Sequence, residues 1–449
     1  MNIDNQVVIA TKPPTVVNKA ERPFLSTTKH NSVSKSLQIG KLITMMLIIT
    51  FVSFHAQAAK MLFRSNFGSG VSVNAPTNFF PSGNGALQQI TGIDKETGYS
   101  WPVTAFGTNF SGLMLITKDP VTSATIGDYI TNEVRSVSGP KGKTINEVFQ
   151  NVKIKGDVGQ ASSQSPFMFN RSSKIGDIKD FYMTYWIKYP ADLTEKLDST
   201  VSAGNWRAHF AFKTGGYNGN DSSGDYRIAI NILKDADGKL YWLTKGDSDA
   251  NGPIPRTTYW YEENRIVPVP VGEWLKFEVY TRRSSGSDGR FWAAVNGQEI
   301  VDYQGPNMGD YNLPITRLMP HNAYSGGYGP VESHITGFEI WDGFPCGDGV
   351  SCYDFDKVAP TIPASPKGTL RKYSTFASVA LSWTASTDAV GVAGYAIYRN
   401  GIKIGVSITP SYTDTITGSA KGTLYSYTVK AFDAAENFSS SSSAVKVTH

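Results

Sequence analysis

Alternating side-chain character along residues 271–301 constrains the fold of this chain more than any other feature. With a period of two, Leu275, Phe277, Val279 and Thr281 lie on one side of a predicted strand. Successive side chains of a strand point to opposite faces, so this side is expected to cover a core. The other side carries aromatic and charged groups: Trp274, Lys276, Glu278, Tyr280 and Arg282. Such a face suits a polar, ring-shaped, charged ligand, and sugar acids fit that description best.

Composition favours an all-β protein of two or three domains. The 449 residues include 43 Gly and 23 Pro, aromatic residues make up 12%, and apolar stripes with the helical period are nearly absent. Residues 1–58 carry six Lys or Arg and two Asp or Glu, so the remainder has 42 − 6 = 36 basic and 38 − 2 = 36 acidic residues. A net charge of zero provides no bulk attraction to nucleic acid or to an anionic membrane, and any affinity for polyanions must be local.

The N-terminal segment has the pattern of a secretory signal peptide. Lys35 and Lys41 precede the apolar run 42–54, and Ala56-Gln57-Ala58 follows as a small-x-small cleavage signal. The run is shorter than the roughly 20 residues of a membrane-spanning helix, although a membrane anchor is the alternative. We therefore expect residues 1–58 to be removed and the protein to be secreted or periplasmic in a bacterium, without a membrane association afterwards and as a monomer.

The two cysteines lie close together in Cys346-Gly-Asp-Gly-Val-Ser-Cys352. In an exported protein, two cysteines across a Gly-rich loop favour a disulfide. The pair is a poor metal site, because zinc requires four ligands and no His lies beside it. We expect the bridge to close the end of the main domain.

A linker and a small sandwich are predicted after the main domain. Residues 358–368 are rich in Pro and small residues without apolar periodicity, which is typical of a semi-stiff linker. Short alternating strands and the Asn400-Gly401 turn predict a β-sandwich over 369–449. Its Trp383, its segment 395–401 and its segment 427–433 resemble the fibronectin type III modules that bacteria append to secreted polysaccharide-degrading enzymes.

The main domain, residues 59–357, is predicted to be a two-sheet jelly roll of about ten strands. Hairpin turns are marked by Asp237-Gly238 and Asn296-Gly297. Fragments of calcium-loop pattern occur at 235–238 and 246–249, but neither reaches a closing Glu, so we predict turns and leave a structural calcium open. No cofactor and no catalytic metal are expected.

Three further predicted strands, 129–137, 205–213 and 225–234, alternate as sharply and carry the candidate site. In 225–234, Tyr226, Ile228, Ile230 and Ile232 are predicted to face opposite to Arg227, Ala229, Asn231 and Leu233. In 205–213, Trp206, Ala208, Phe210 and Phe212 are predicted to face opposite to Arg207, His209 and Lys213. If the strands are neighbours, their polar faces merge into one groove. The predicted catalytic residues are Arg207, His209, Asn231 and Tyr280. The predicted substrate-binding residues are Arg135, Lys213, Arg227, Lys276, Glu278, Arg282 and Trp292. A solvated outer face with cross-strand ion pairs is the alternative.

Such a groove could cleave a polyuronate by β-elimination. Arg207, Arg227 and Asn231 would neutralise the C6 carboxylate, His209 would remove the C5 proton, and Tyr280 would protonate the leaving glycosidic oxygen. Hydrolysis needs a closely spaced acidic pair instead, and only Glu133 with Glu278 offers one. A non-catalytic carbohydrate-binding or adhesive protein would use the same groove without turnover.

Several segments together resemble a known group of enzymes. They are 269–274, the turn ending at Arg290, Val295-Asn296-Gly297 and 302–307. They are similar to the central part of jelly-roll polysaccharide lyases of the heparin lyase I, glucuronan lyase and alginate lyase kind, within about 180–342. This resemblance implies a concanavalin-like β-jelly roll and an acidic polysaccharide as partner. The alginate lyase run Gln-Ile-His and its C-terminal Tyr-Phe-Lys-x-Gly-x-Tyr are missing.

Overall fold

A computed structural model describes most of the chain after residue 58. The described residues are 59–104, 107–142, 144–153, 163–171, 179–201, 203–215, 226–248, 258–309, 312–353, 357–388, 391–418, 422–433 and 437–449. The predicted signal peptide lies outside them. No helix in these ranges is long and apolar enough to cross a membrane. Residues 58–449 form one compact unit.

The main domain consists of two antiparallel sheets, with strands numbered in chain order through the whole protein. The first sheet has eight strands: β1 (Met61–Ser65), β6 (Ile130–Ser138), β7 (Thr144–Val152), β9 (Asp180–Lys188), β14 (Trp274–Arg282), β15 (Arg290–Val295), β16 (Gln298–Gln304) and β18 (Val331–Trp341). Its order is β16-β15-β14-β9-β18-β7-β6, with β1 also paired to β18.

The second sheet has ten strands: β2 (Ser72–Val73), β3 (Gly85–Ile93), β4 (Ser100–Trp101), β5 (Thr108–Ile116), β8 (Ser165–Arg171), β10 (Trp206–Thr214), β11 (Arg227–Lys234), β12 (Leu240–Asp247), β13 (Thr258–Asn264) and β17 (Ile315–Ala323). Its order is β13-β12-β11-β10-β17-β8-β5-β3-β2, with β4 on β3. The helical pieces in the described ranges are short: α1 (Ile126–Tyr129), α2 (Leu193–Lys196) and a 3-10 turn (Pro140–Gly142).

A single apolar core lies between the two sheets. Its side chains come from alternate positions of each strand, as in Phe277 and Val279 of β14 and Ile228, Ile230 and Ile232 of β11. The alternation predicted for these two strands is confirmed. Every outer position of the two sheets is therefore available for solvent, for a ligand or for another part of the chain.

The C-terminal sandwich has the strand arrangement of a fibronectin type III module. Three strands form one sheet: β19 (Ala364–Lys372), β20 (Phe376–Thr384) and β23 (Ser411–Thr417). Four strands form the other, in the order β22-β21-β24-β25: β21 (Val392–Arg399), β22 (Ile402–Ser407), β24 (Leu424–Asp433) and β25 (Val445–Thr448). Trp383, Tyr395 and Tyr427 fill the core between these sheets. The all-β jelly roll followed by a sandwich is confirmed, and β19 begins inside the predicted linker.

The three predicted hairpin turns at 237–238, 296–297 and 400–401 and the disulfide are confirmed. The turn predicted at 246–249 is wrong for Gly246 and Asp247, which continue β12 because both pair with β11. Cys346 and Cys352 are joined in the segment that follows β18. At the β11–β12 turn the Gly238 N–H donates to the Asp235 carbonyl at 3.1 Å, and the Asp235 carboxylate accepts the Lys239 N–H at 2.8 Å. The Asp235 side chain is therefore engaged by its own hairpin.

Candidate functional site

The outer face of the ten-stranded sheet carries a row of cations across three neighbouring strands. Ile228 and Ile230 face the core, so Arg227 and Asn231 of β11 face outward. Lys213 of β10 is paired directly with Arg227 on one side and with Arg317 of β17 on the other. Directly paired residues share a face, and neighbouring strands lie about 4.8 Å apart. Three positive side chains therefore follow one another at the spacing of the strands.

A buried carboxylate anchors one end of this row. Asp247 of β12 is 0% exposed and accepts hydrogen bonds from Arg227 Nε at 2.8 Å and from Arg227 Nη2 at 2.5 Å. Lys245 Nζ lies 3.0 Å from the same carboxylate. Burial alone would raise the pKa of Asp247, but Arg227 and Lys245 outweigh it and hold the pKa below its ordinary value. One carboxylate thus orients two cations at this end of the row.

Arg317, at the other end, has no such partner in the part of the chain that the structure describes. Its guanidinium is half-buried, and no carboxylate in the described ranges lies within 4 Å of it. Burial lowers the pKa of Arg317 below its ordinary value, with no acidic side chain opposing the effect. A partly desolvated cation without a counter-charge is costly for the fold, and an anionic ligand would remove that cost.

Small and apolar side chains lie beside the cations on the same outer face. Ala211 of β10 packs with Phe110, Met168 and Met319, which are 8%, 1% and 5% exposed. These apolar side chains are buried, so a ligand would meet the half-exposed cations beside them. A cationic row is chemically suited to the charged groups of an acidic sugar chain.

The predicted base, His209, does not face this surface. The pairing register of β10 shifts between Ala208 and Phe210, which indicates a β-bulge that reverses the facing of the residues beyond it. Phe210 and Phe212 therefore point inward, as His209 does, and His209 is 0% exposed. Burial, followed by the charge of Arg207, lowers the pKa of His209 to about 3. The prediction of His209 in an open groove is wrong.

Arg207 also points into the core, where a polar cluster surrounds it. It is 2% exposed and donates to Ser333 Oγ at 2.6 Å and to the Glu332 carbonyl at 2.8 Å. Ser333 Oγ shares a further hydrogen bond with His321 Nε2 at 2.7 Å. Burial lowers the pKa of Arg207 to about 10. The structure gives this cluster a role between the sheets, not toward a ligand.

The predicted acid, Tyr280, lies in the other sheet. Its ring belongs to an apolar cluster with Trp292 and Trp341 of the eight-stranded sheet and Phe432 of the C-terminal sandwich. Its hydroxyl donates to the Asp180 carboxylate, and burial followed by this hydrogen bond raises the pKa of Tyr280. Tyr280 is 1% exposed, so the module and the disulfide segment cover it. The prediction that Tyr280 and His209 share a groove is wrong.

Glu278 and Trp292 are held in the same covered area. The Glu278 carboxylate is 0% exposed and accepts hydrogen bonds from Tyr182 Oη at 2.5 Å, from the Cys352 N–H at 2.6 Å and from Ser351 Oγ. Trp292 Nε1 donates to Glu299 at 3.0 Å. Neither residue can contact a polysaccharide in this state. Glu133, by contrast, is half-exposed on β6, so the two acids of the hydrolase alternative do not face one cleft.

The remaining predicted residues of the eight-stranded sheet are separate from the cationic row. Arg135 Nε donates to the buried Glu147 at 2.8 Å, and Lys276 Nζ lies 5.7 Å from the centre of the Trp186 ring. Arg282 forms an exposed ion pair with Asp180 at 3.4 Å. Of the predicted residues, the outer face of the ten-stranded sheet brings together Lys213, Arg227 and Asn231.

Sequence reasoning missed Arg317 and Lys245. Lys245 alternates with core residues in β12 and could have been found by extending the predicted strand. Arg317 was harder to find, because Pro320 follows in the same strand and the register of β17 shifts between Leu318 and His321. The Thr316-Arg317-Leu318 alternation was the available signal.

Comparison with known sequences finds similar segments, and no family model matches the chain. Chitinase Chi52 of Paenibacillus xylanexedens is 40% identical over 129 residues, covering 27% of this chain and 24% of that protein. An α-amylase of Niallia circulans is 46% identical over 93 residues, covering 21% and 7%. Exoglucanase B of Cellulomonas fimi is 46% identical over 93 residues, covering 21% and 8%. The chain spans less than a quarter of these relatives' lengths, and the two shorter matches are close in length to the linker and module together.

Among solved structures, two lyases are similar to part of the chain. Alginate lyase Aly36B has a TM-score of 0.32 at 13% identity and covers 43% of this chain and 82% of its own. The endo-β-1,4-glucuronan lyase from the fungus Trichoderma reesei has a TM-score of 0.35 at 11% identity, with 49% and 92% covered. The binding domain of botulinum neurotoxin serotype D/C has a TM-score of 0.30 at 8% identity, with 67% and 66% covered. These scores are low, so the architecture rests on the sheets described above.

Proposed function

We propose that this protein is a polysaccharide lyase that binds an acidic, uronate-containing polymer on the outer face of its ten-stranded sheet. The observation that carries the proposal is the half-buried Arg317, which has no carboxylate partner among the residues that the structure describes and lies in direct register with Lys213, itself paired to Arg227. A carboxylate of the polymer would supply the missing counter-charge. The strand spacing of about 4.8 Å is close to the length of one pyranose unit, so successive uronates can meet successive cations.

β-Elimination on this surface would use the cations in two ways. Arg317 would bind the C6 carboxylate of the sugar that is cleaved and stabilise the charge that develops on it when the C5 proton leaves, and Arg227 would bind the carboxylate of a neighbouring sugar. We assign proton transfer to Lys213, because it lies between Arg227 and Arg317 in the register and carries the row's amine, which can take up and release a proton. The neutral amine of Lys213 takes the C5 proton, the electron pair of the C5–H bond forms the C4–C5 double bond, and the C4–O bond to the leaving sugar breaks. The leaving oxygen takes a proton from the resulting Lys213 ammonium group, which restores the neutral amine.

The test is ultraviolet absorbance of newly formed unsaturated uronate. Protein beginning at Ala59 is incubated with alginate, polyglucuronate, pectate, hyaluronan and heparin. We expect absorbance to rise with at least one polymer and Lys213→Ala to lower the rate by 10²-fold or more. Arg317→Ala should lower the rate by a similar factor, and Arg317→Lys should retain part of it because the charge is kept. Arg282→Ala is the matched control, since Arg282 is an exposed arginine of the other sheet.

A non-catalytic carbohydrate-binding protein is the second candidate. The predicted base and acid, His209 and Tyr280, are both buried away from the cationic row, which favours binding without turnover. In that case no polymer gives absorbance, yet affinity electrophoresis shows retardation that Arg317→Ala weakens. Retardation without an effect of Arg317→Ala contradicts both proposals.

We also propose that the protein works outside the cytoplasm. The Cys346–Cys352 disulfide supports this, because such bonds persist in oxidising compartments. The signal peptide and a monomeric state remain predictions, and so do the domain boundaries and the absence of a cofactor. Mass determination of the exported protein would test cleavage after Ala58.

A further inference from the structure

The same three-residue pattern occurs on two neighbouring strands of the eight-stranded sheet. Trp186-Ile187-Lys188 ends β9, and Trp274-Leu275-Lys276 begins β14. The two strands are antiparallel, with Trp274 paired to Lys188 and Lys276 paired to Trp186. Ile187 and Leu275 are 0% exposed in the core, so the other four side chains lie on the outer face. Tryptophan and lysine alternate there in a two-by-two array, which we call the Trp-Lys patch.

Each ammonium group of the Trp-Lys patch is held over the opposite indole. Lys188 Nζ lies 5.4 Å from the centre of the Trp274 ring, and Lys276 Nζ lies 5.7 Å from that of Trp186. Both distances are within the range of a cation–π interaction. The interaction keeps two long side chains near the sheet surface, so they are partly ordered before any ligand binds.

Neither ammonium group has an acidic partner in the described part of the chain. No carboxylate lies within 4 Å of Lys188 or Lys276 there, although the same face pairs Arg135 with Glu147 and Arg282 with Asp180. Stability alone would favour an acidic residue opposite a lysine, and diagonal neighbours on a sheet are about 7–8 Å apart. Two cations at this separation repel each other weakly and can bind one anionic group together.

The array continues toward β18 with an imidazole side chain. His334 is paired to Lys188, and its ring lies 6.2 Å from that of Trp274. His334 Nδ1 donates to the buried Glu147 carboxylate at 2.9 Å, which fixes the orientation of the imidazole. On the other side, Tyr353 meets Trp186 edge to face at 6.2 Å. Aromatic and cationic groups thus extend over three strands.

We propose that the Trp-Lys patch is a second, non-catalytic binding site for an acidic polysaccharide chain. The indoles offer apolar surface to the C–H faces of pyranose rings, and the two ammonium groups bind carboxylate or sulfate. The patch belongs to the eight-stranded sheet, whereas the cationic row belongs to the ten-stranded sheet, so one polymer can contact opposite sides of the domain. The site rests on the proposed function only for the class of ligand, since its evidence is independent of turnover.

Affinity electrophoresis through gels that contain long alginate, polyglucuronate or heparin tests the proposal. We expect Lys188→Gln/Lys276→Gln to weaken retention about ten-fold while the cleavage rate on short soluble oligosaccharides is unchanged. The matched control, Lys95→Gln/Lys372→Gln, removes the same charge from exposed lysines and should keep full retention. Trp186→Phe is a second variant that keeps the fold, and it should weaken retention less than the lysine pair.

The outcomes separate this proposal from the proposed function. Retention that the Lys188→Gln/Lys276→Gln variant loses, in a protein that cleaves nothing, supports the patch and contradicts the lyase. Unchanged retention in an active lyase overturns the patch. Equal loss of retention in the control variant shows a dependence on net charge alone and also overturns it. If the same lysines bind double-stranded DNA as tightly as the polysaccharides, the assignment to sugar acids is wrong.

Discussion

The outer faces of the two main-domain sheets are similar in sequence but differ in the structure, because one is covered and the other is open. On the eight-stranded sheet, Tyr280, Trp292 and Trp341 lie beneath the C-terminal sandwich and the disulfide segment. On the ten-stranded sheet, Lys213 and Arg317 lie half-exposed with no module over them in the described ranges. Aromatic and charged residues at alternate positions therefore indicate only that a face meets something polar and specific. Whether that is a ligand or another domain depends on the rest of the chain.

The covered face shows how a domain interface can imitate a binding site. Arg64 of β1 donates to the Asp433 carbonyl of the sandwich at 3.2 Å and pairs with Glu339 at 3.4 Å. At Gly391 of the sandwich, an added Cβ atom would lie 3.5 Å from the Trp341 ring, and φ there is 125°. The backbone thus approaches the indole in a conformation that favours glycine. The charged groups of the covered face contact the module, as those of a binding site would contact a ligand.

Removing the Trp341 side chain should give the largest effect on stability, because it disrupts the packing between the covered face and the sandwich. Trp341 is 1% exposed and packs between the eight-stranded sheet and the sandwich. We expect Trp341→Ala to lower the free energy of unfolding by about 3–5 kcal/mol, as for other buried tryptophans. Urea titration followed by circular dichroism measures the change. Ile402→Ala, at a 71% exposed position of the sandwich, is the control. A cost below about 1 kcal/mol would show that the interface is not packed in solution.

Acid should lower the free energy of unfolding, because His209 is buried between the two sheets and must be neutral there. Its folded-state pKa of about 3 lies below the unfolded value of about 6.5, so the unfolded chain binds more protons between these limits. The contribution of neutral His209 to the free energy of unfolding is complete above pH 6.5. It is lost as the pH falls toward 3, by about 1.4 kcal/mol per pH unit. His321, whose pKa burial also lowers, adds a loss of the same sign.

The His209 contribution can be isolated by substitution. We expect His209→Gln to be less stable than the wild type at pH 7.5, because it disturbs the hydrogen bond with Tyr189. That deficit should shrink by roughly 2.7 kcal/mol when the pH is lowered to 4.5. Urea unfolding at the two pH values gives both differences, with His449→Gln as the control. Parallel curves for wild type and variant would mean that His209 does not titrate in this window.

Arg317 should show a trade between stability and ligand binding on the open face. Its guanidinium is half-buried and has no counter-charge in the described ranges, so Arg317→Met is expected to keep the free energy of unfolding or raise it by about 1 kcal/mol. The same substitution should reduce polymer retention. Arg227→Met is the comparison, because it removes a partner of the buried Asp247 and should cost stability. A clear loss of stability in Arg317→Met would indicate a structural role.

Local pattern was sufficient for some parts of the molecule. The facing of β11, the disulfide and the strand arrangement of the sandwich follow from alternation, cysteine spacing and turn residues, all of which are short-range. The facing of β10 did not follow, because one extra residue at the bulge reverses every later side chain. The burial of Tyr280 did not follow either, since it depends on contacts with residues more than one hundred positions away.

Arg282 should give the smallest effect and sharpen the contrast between the faces. It was predicted to bind substrate, but in the structure it is 44% exposed and forms a 3.4 Å ion pair with Asp180, itself 43% exposed. Exposed pairs of this kind contribute little, so Arg282→Ala should change the free energy of unfolding by about 0.5 kcal/mol or less. Polymer retention should stay at the wild-type value, because the side chain is on neither the cationic row nor the Trp-Lys patch. A loss of retention in affinity electrophoresis would indicate that the ligand binds at the margin of the covered face, next to the end of β14.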